Sequence, residues 1–429
     1  MSTSDRPNPP VRPPAATGWR RTTASLASPE FRSVFISNAA FFLAMAGQGI
    51  VRPWLAFKLT ESTTALGLVS AATAIPMLLL SPVGGVLADR IERRRLILLA
   101  QSLAIASEVA VLGLLLAGRL EFWHLVALAG AMGCAFPLIM PARQAIVVNI
   151  VGKKGLGAAM ALNMGGVNAT RVIGPAFAGM LIPVITVEGV YMVNIALYLM
   201  ALIAMTRVSR LEPARGGQQR SILGSVVEGM RYVWSNRLIL TLLAYGLVPM
   251  FLAMPFQTLL VKFADDVWET GSVGFGILNT AAGIGAVVGS LVLASRRPDS
   301  GQLRLMMTSV IAFGSLLAAF SISPWFLPAV GLVLAANIFV SIFGTLNNTA
   351  IQLLIPDSVR GRISSFLMMS FSLPLLGSLP VSVAADYVGA PVAVGVASIL
   401  AVSAAVVFYL SSRDLRRLDA HVRQAMSQE

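Results

Sequence analysis

Charge is what this sequence has least of. Only 12% of its 429 residues are charged and 56% are hydrophobic, against roughly 25% charged in an average soluble chain. With 32 Lys and Arg and 19 Asp and Glu, the chain cannot coat a soluble body of its size, so soluble enzymes, coiled coils and disordered chains are excluded and the bilayer must solvate most of the surface. Cysteine is almost absent. Cys134 stands alone and rules out an intramolecular disulfide, and with only His124 and His421 beside it no Cys/His set for zinc exists. The same shortage denies an integral-membrane enzyme its cluster of His, paired carboxylates or nucleophile with base. No Gly-x-x-x-x-Gly-Lys-Ser/Thr loop is present to cradle ATP. No cofactor, metal or nucleic acid is expected, because the formal charge of +13 is dispersed between apolar runs instead of forming one basic patch.

What the sequence has in abundance is apolar runs of the length a bilayer requires, about 20 residues each. Twelve are found, at 33–57, 64–86, 96–118, 122–143, 157–181, 187–206, 238–261, 272–294, 304–322, 325–347, 364–385 and 388–411. They are numbered below as spans 1 to 12, and the expected fold class is all-α integral membrane. Placing both termini in the cytoplasm puts all but five of the 32 basic residues on that side, the exceptions being Arg52, Lys58, Arg119, Arg171 and Lys262. Arg143, at the end of span 4, is counted among the cytoplasmic residues. The expected location is the plasma (inner) membrane. Residues 1–32, Pro-rich and lacking the apolar core of a signal peptide, read as a disordered cytosolic tail, and 412–429 as a second tail. Residues 207–237 read as a cytoplasmic linker with an amphipathic helix, since Ile222, Val226, Met230 and Val233 recur at helical spacing.

The chain repeats itself. Residues 42–48 and 251–257 share five of seven residues at a spacing of 209, and Gly67–Ile75 falls over Gly276–Ile284 at the same spacing. That predicts a duplication into bundles 33–206 and 238–411. Internal repeats mark secondary transporters, whose site lies between the halves near mid-membrane.

Between spans 2 and 3, Gly85, Asp89, Arg90, Arg93 and Arg94 resemble the Gly-x-x-x-Asp-Arg-x-Gly-Arg-Arg signature of the major facilitator superfamily, with Glu92 where the second Gly is usual. Asp357, Arg360, Gly361 and Arg362, between spans 10 and 11, are similar to another loop of that superfamily. Gly174 and Pro175 in span 5 resemble the Gly-Pro element of its exporters, and the segment before them is similar to the enterobactin-exporter and macrolide-efflux subgroup. The resemblance covers about residues 32–411. It implies two pseudo-symmetric six-helix bundles working by alternating access, with Asp89 approaching the start of span 11 as a conformational latch. A carboxylate near a helix N-terminus contributes about 0.3 to 1 kcal/mol, a size suited to a latch that must release.

Several residues are candidates for the substrate cavity. Asn38, Phe41, Met45, Gln48 and Arg52 recur at intervals of 3 and 4 along span 1, and the repeat matches Met45 and Gln48 with Met254 and Gln257 of span 7. Both stripes are expected to face the axis between the halves, where Met and Phe give adaptable walls. Asn279 and Asn337 are weaker candidates. In span 5, Asn168 and Arg171 share a face; Arg171 either meets an anionic or polar substrate group or is tied to carbonyls or to a carboxylate such as Glu108. Glu108, mid-span, is either a proton carrier or a structural partner, and Asp386, at the outer end of span 11, is either a second proton-coupling candidate or an ordinary interfacial carboxylate.

The expectation is therefore a transporter, functional as a monomer, exporting a small amphipathic drug-like or siderophore-like molecule in exchange for protons. Proton coupling through an Arg inside span 4 is not expected from the run at 124–140. An importer of an organic solute and a non-transporting sensor are the rival readings.

Overall fold

The computed structural model describes residues 25–209, 230–296, 301–355, 369 and 372–412, without the side chains of 82–90 and 152–155. Hydrocarbon offers backbone groups no partners, so each apolar run must close its own hydrogen bonds as a helix. Ten stretches among the described residues are long and apolar enough to cross a membrane, one of them (Leu156–Thr206) long enough for two crossings, and Leu373–Val388 adds a shorter apolar helix. These account for the twelve spans. The first begins at Pro29, four residues inside the expected tail, because Ser28 caps it by accepting from the Phe31 N–H.

Helical hydrogen bonding runs unbroken from Phe122 to Thr206, which at 1.5 Å per residue would make a rod of roughly 130 Å. It cannot be straight, because residues from three parts of it meet one short stretch of span 1. Arg143 donates to Asn38, Asn38 donates to Asn163, and Ser37 donates to the Ala201 carbonyl. The run therefore doubles back twice, the second time beside Pro183 and Thr186, whose φ is 62°. Span 7 is discontinuous in another way. Pro249 opens a π segment, Pro249–Ala253, and a turn at Met254 and Pro255 precedes the short helix Phe256–Lys262.

Among the described residues, one face of the molecule carries Glu61, Glu121, Asp265, Asp266, Glu269 and Asp386 at its helix ends; the other carries Arg93, Arg94, Arg95, Arg207, Arg237, Arg296 and Arg304. We call them the acidic and basic faces. Toward the acidic face a single hydrophobic core joins both halves, with Val51, Leu55 and Ile182 packed in one cluster with Phe256, Leu260 and Phe275. Toward the basic face the described core is split, into clusters around Phe31 and Ile146 in the first half and around Leu242 and Phe343 in the second.

Closure at the acidic face follows the repeat. Gly67 and Gly276 are matched by the 209-residue spacing, and each is where its helix crosses the other half. A Cβ on Gly67 would lie 2.9 Å from the Leu379 Cα of span 11, and one on Gly276 would lie 2.7 Å from the Pro175 carbonyl oxygen of span 5. Spans 2 and 11, and 5 and 8, thus form equivalent crossings that only small residues permit.

Candidate transport cavity

A cavity of about 460 Å³ lies between the halves. Met45, Gln48, Gly49, Arg52 and Pro53 of span 1 line it, with Met77 of span 2, Met132 and Phe136 of span 4, Gln257 and Thr258 of span 7, and Phe275 and Asn279 of span 8 among the other walls. Span 7 reaches it through its break: Gln257 and Thr258 follow directly on the turn at Met254 and Pro255. The walls are chiefly Met, Phe and aliphatic, with a few amides and hydroxyls, the composition of a pocket for an amphipathic molecule. Arg52 is the one charged side chain lining it among the described residues.

The expected cavity residues separate. Met45, Gln48, Arg52, Gln257 and Asn279 come together on its walls. Met254, the repeat partner of Met45, packs against the joint core instead. Asn337 is buried within the second half, where it donates to the Val333 carbonyl of its own helix and backs the close approach of Gly285. Asn38 is also buried, one end taken by Arg143 and the other by Asn163. Asn168 and Arg171 are exposed. They lie on the face of span 5 that packs against span 8 at Pro175 and Gly179, one to two turns nearer the basic face. Span 8 still packs against the Arg171 backbone there, a Cβ on Gly283 lying 2.9 Å from the Arg171 carbonyl oxygen, and neither side chain lines the cavity.

Glu108 is not paired with Arg171. It is fully buried, and its Oε1 accepts from both Gln48 Nε2 and Arg52 Nη2, the latter at 3.2 Å. Gln48 and Arg52 thus face the cavity on one side and Glu108 on the other. Glu108 Oε2, Arg52 Nε, the Tyr191 hydroxyl and Asn194 Nδ2 have no hydrogen-bond partner.

A second buried cation was not foreseen. Arg143, assigned above to the cytoplasmic fringe, is 2% exposed, its guanidinium 4.1 Å from the Phe41 ring centroid and donating to Asn38. The helix of span 4 continues past residue 143 to Val151, which is why a charge taken for the end of a span lies inside the protein. The signal available was the spacing of Arg143 from Met132, Phe136 and Ile139, which keeps it on the inward face of a longer helix.

Of the expected gating residues, the helix of span 2 runs through Gly85 and Asp89 to Arg90, but their side chains lie outside the described residues, as do Asp357, Arg360, Gly361 and Arg362. The turn after Arg90 is made without the missing glycine, since Glu92 has φ −52° and its carboxylate pairs with Arg95 Nε at 2.9 Å. Arg93 starts the helix of span 3, and Arg94 donates to the Thr206 carbonyl at the end of span 6. Gly174 packs against Ala46 of span 1, within the first half, whereas the Pro175 carbonyl faces Gly276 across the halves.

Asp386 bridges the two halves at the acidic face. Its carboxylate accepts from the backbone N–H groups of Thr63 and Thr64 and from the hydroxyls of Ser62 and Thr63, capping span 2 from the end of span 11. Lys58 of the first half pairs with Asp265 of the second at 2.7 Å beside it.

Comparison with known proteins agrees with this geometry. The sequence profile described as "transmembrane secretion effector" matches residues 20–428. The multidrug efflux pump Tap of Mycolicibacterium fortuitum is 27% identical over 341 residues, 76% of this chain and 82% of its own. The enterobactin exporter EntS of Shigella boydii is 28% identical over 342 residues, 78% of this chain and 80% of its own. Among solved structures, the nucleoside transporter NupG superposes with a TM-score of 0.73 at 11% identity, covering 89% of this chain and 98% of its own. A bacterial homologue of the human lysosomal transporter Spinster gives 0.70 at 12% identity, covering 94% and 98%. At that identity the structures share the fold.

Proposed function

Because the chain belongs to the transmembrane secretion effector family of major facilitator transporters, we propose that it exports a small amphipathic molecule across the inner membrane by alternating access, in exchange for protons. It is a multi-pass membrane transporter and not an enzyme. The observation that carries the proposal is the cavity: a Met- and Phe-walled space between the halves, closed toward the acidic face by a joint core and flanked toward the basic face by separate ones. With the basic face in the cytoplasm, as the positive-inside asymmetry favours, this is a cytoplasm-facing state poised to take its cargo from inside. Efflux is the activity named for both sequence relatives, Tap and EntS. Asp386, Lys58 and the Gly67 and Gly276 crossings would have to part for release outward, while Asp89 and the residues after Arg360 would form the opposite closure.

Nothing bound to ATP drives the cycle in this reading, so uphill export draws on the proton gradient. The test is accumulation of a panel of lipophilic cations and catechol-type anions in pump-deficient bacteria, with and without a protonophore. Lower accumulation of panel members that the protonophore restores is the expected result. Raised accumulation would make the protein an importer, and no change for any compound would refute export.

A further inference from the structure

The cavity's single charged wall is backed by a single buried acid. Arg52 is nine-tenths buried along its side chain, lines the cavity, and touches Glu108 through one nitrogen. Glu108 is the one acid among the buried polar residues described. From span 1 it is faced by Gln48 and Arg52, and from span 6 by Tyr191 and Asn194, with Tyr198 further along the same helix. From span 4 the nearest charge is Arg143, which is held by Asn38; from its own helix the neighbour is Ser107. None of these is a second acid that could take over its charge.

We propose that the Arg52–Glu108 pair is a proton-operated charge switch on the cavity, and that it selects lipophilic cations as the exported class. This rests on the reading of the cavity as the transport site. With Glu108 ionised, the pair is neutral and the cavity has no net charge. With Glu108 protonated, Arg52 presents an uncompensated positive charge to the cavity. What changes between the two states is the attraction of the Glu108 carboxylate, which lies behind Arg52; for a cation about 12 Å from it, at an effective dielectric constant of about 20, losing that attraction weakens binding roughly tenfold. By reciprocity a bound cation expels the proton by the same factor. Proton and cation then exclude one another, and that exclusion is the thermodynamic requirement for exchanging one inward proton for one outward cation.

The sign of the coupling carries the assignment of substrate class. An anion would be drawn to Arg52 most strongly when Glu108 is protonated, so anion and proton would bind and travel together, the reverse of proton-driven export. The walls suit a cation as well. The Phe136 and Phe275 rings and the Met45, Met77 and Met132 sulfurs are polarisable, and the Gln257 and Asn279 carbonyl oxygens accept from positively charged groups.

The experiment is tetraphenylphosphonium binding to the purified full-length protein from mildly acid to mildly alkaline pH. For wild type the affinity should rise by about tenfold as pH rises. Glu108→Gln, fixed in the positive state, should bind weakly at every pH. The double variant Arg52→Gln with Glu108→Gln, fixed neutral, should recover tight binding that no longer varies with pH, which also excludes misfolding as the cause of the single variant's loss. Glu108→Gln binding as tightly as wild type, or wild-type affinity that does not vary with pH, would overturn the switch. So would a catechol-type anion that binds while tetraphenylphosphonium does not. The accumulation panel separates this from the broader reading: compounds exported without pH-dependent cation binding leave export standing and remove the switch. PH-dependent binding with no export in any cell assay leaves the switch and removes export.

Discussion

Asp386 and Thr63 sit 323 residues apart in sequence and touch across the two halves of the molecule, the carboxylate accepting from the Thr63 N–H at 2.7 Å and from its hydroxyl at 2.6 Å. The contact places a negative charge at the N-terminus of a helix, where the first N–H groups have no partners of their own. Removing it by Asp386→Ala is expected to cost the closed acidic face about 1.5 to 3 kcal/mol, the range for charge-assisted hydrogen bonds. Spin labels on Arg119→Cys and Ile322→Cys in a Cys134→Ser background read that face directly. Longer distances should gain population in Asp386→Ala, and an unchanged distribution would show that the contact does not govern closure. Asp89→Asn is expected to shift the same distribution the other way, if Asp89 approaches the start of span 11 as the resemblance implies.

Gly276 and Gly179 meet at the crossing between spans 5 and 8. A Cβ on Gly276 meets the Pro175 carbonyl oxygen at 2.7 Å and the Gly179 Cα at 3.0 Å, both backbone atoms that cannot swing aside. Gly276→Val should therefore open the acidic face in the same spin-label measurement and reduce export. Retention of wild-type distances and transport would mean the crossing is looser than the geometry indicates.

Much of this was legible in the sequence, because membrane proteins write their spans as long apolar runs and this one writes its symmetry as a repeat. The twelve spans, the two bundles and the stripe of Met45, Gln48 and Arg52 all follow from local periodicity. What periodicity does not contain is which helix a polar residue faces. Sequence alone leaves Arg171 open between a substrate group and a structural tie to carbonyls or a carboxylate such as Glu108, whereas Glu108 reaches Arg52 and Gln48 of span 1 and Arg171 is exposed on span 5. Arg143 looked like a fringe charge because span 4 was ended at it, whereas the helix continues. Asp386 looked like an ordinary interfacial carboxylate, since nothing in its own helix announces that it caps span 2. The break in span 7 was signalled by Pro249 and Pro255, two prolines six residues apart that a count of apolar residues passes over.

Gly49 offers a way to block the cavity without disturbing the fold. It lines the cavity, and a Cβ built on it meets nothing within 4 Å. Gly49→Phe should fill the space, abolish substrate binding and leave the thermal melt near that of wild type. Undiminished binding in a well-folded variant would place the substrate elsewhere.

The Asn38–Arg143 contact is expected to be structural first. Asn38→Ala removes the acceptor from a buried guanidinium whose Nε and Nη2 already lack partners, at a cost of about 1.5 to 3 kcal/mol. Arg143→Met, which removes the charge along with its need for an acceptor and keeps the volume, should cost less. Melting curves of the two purified variants decide this, and a greater loss for Arg143→Met would show that the cation itself holds the first half together.

The central claim is that a proton gradient moves cargo through this cavity. Its most direct measurement uses proteoliposomes with an acid interior and follows uptake of a compound that the cellular panel identifies, comparing wild type with Gly49→Phe. The account predicts uptake that collapses when a protonophore dissipates the gradient and that is absent from Gly49→Phe. Uptake indifferent to the gradient, or equal in the filled variant, would contradict it.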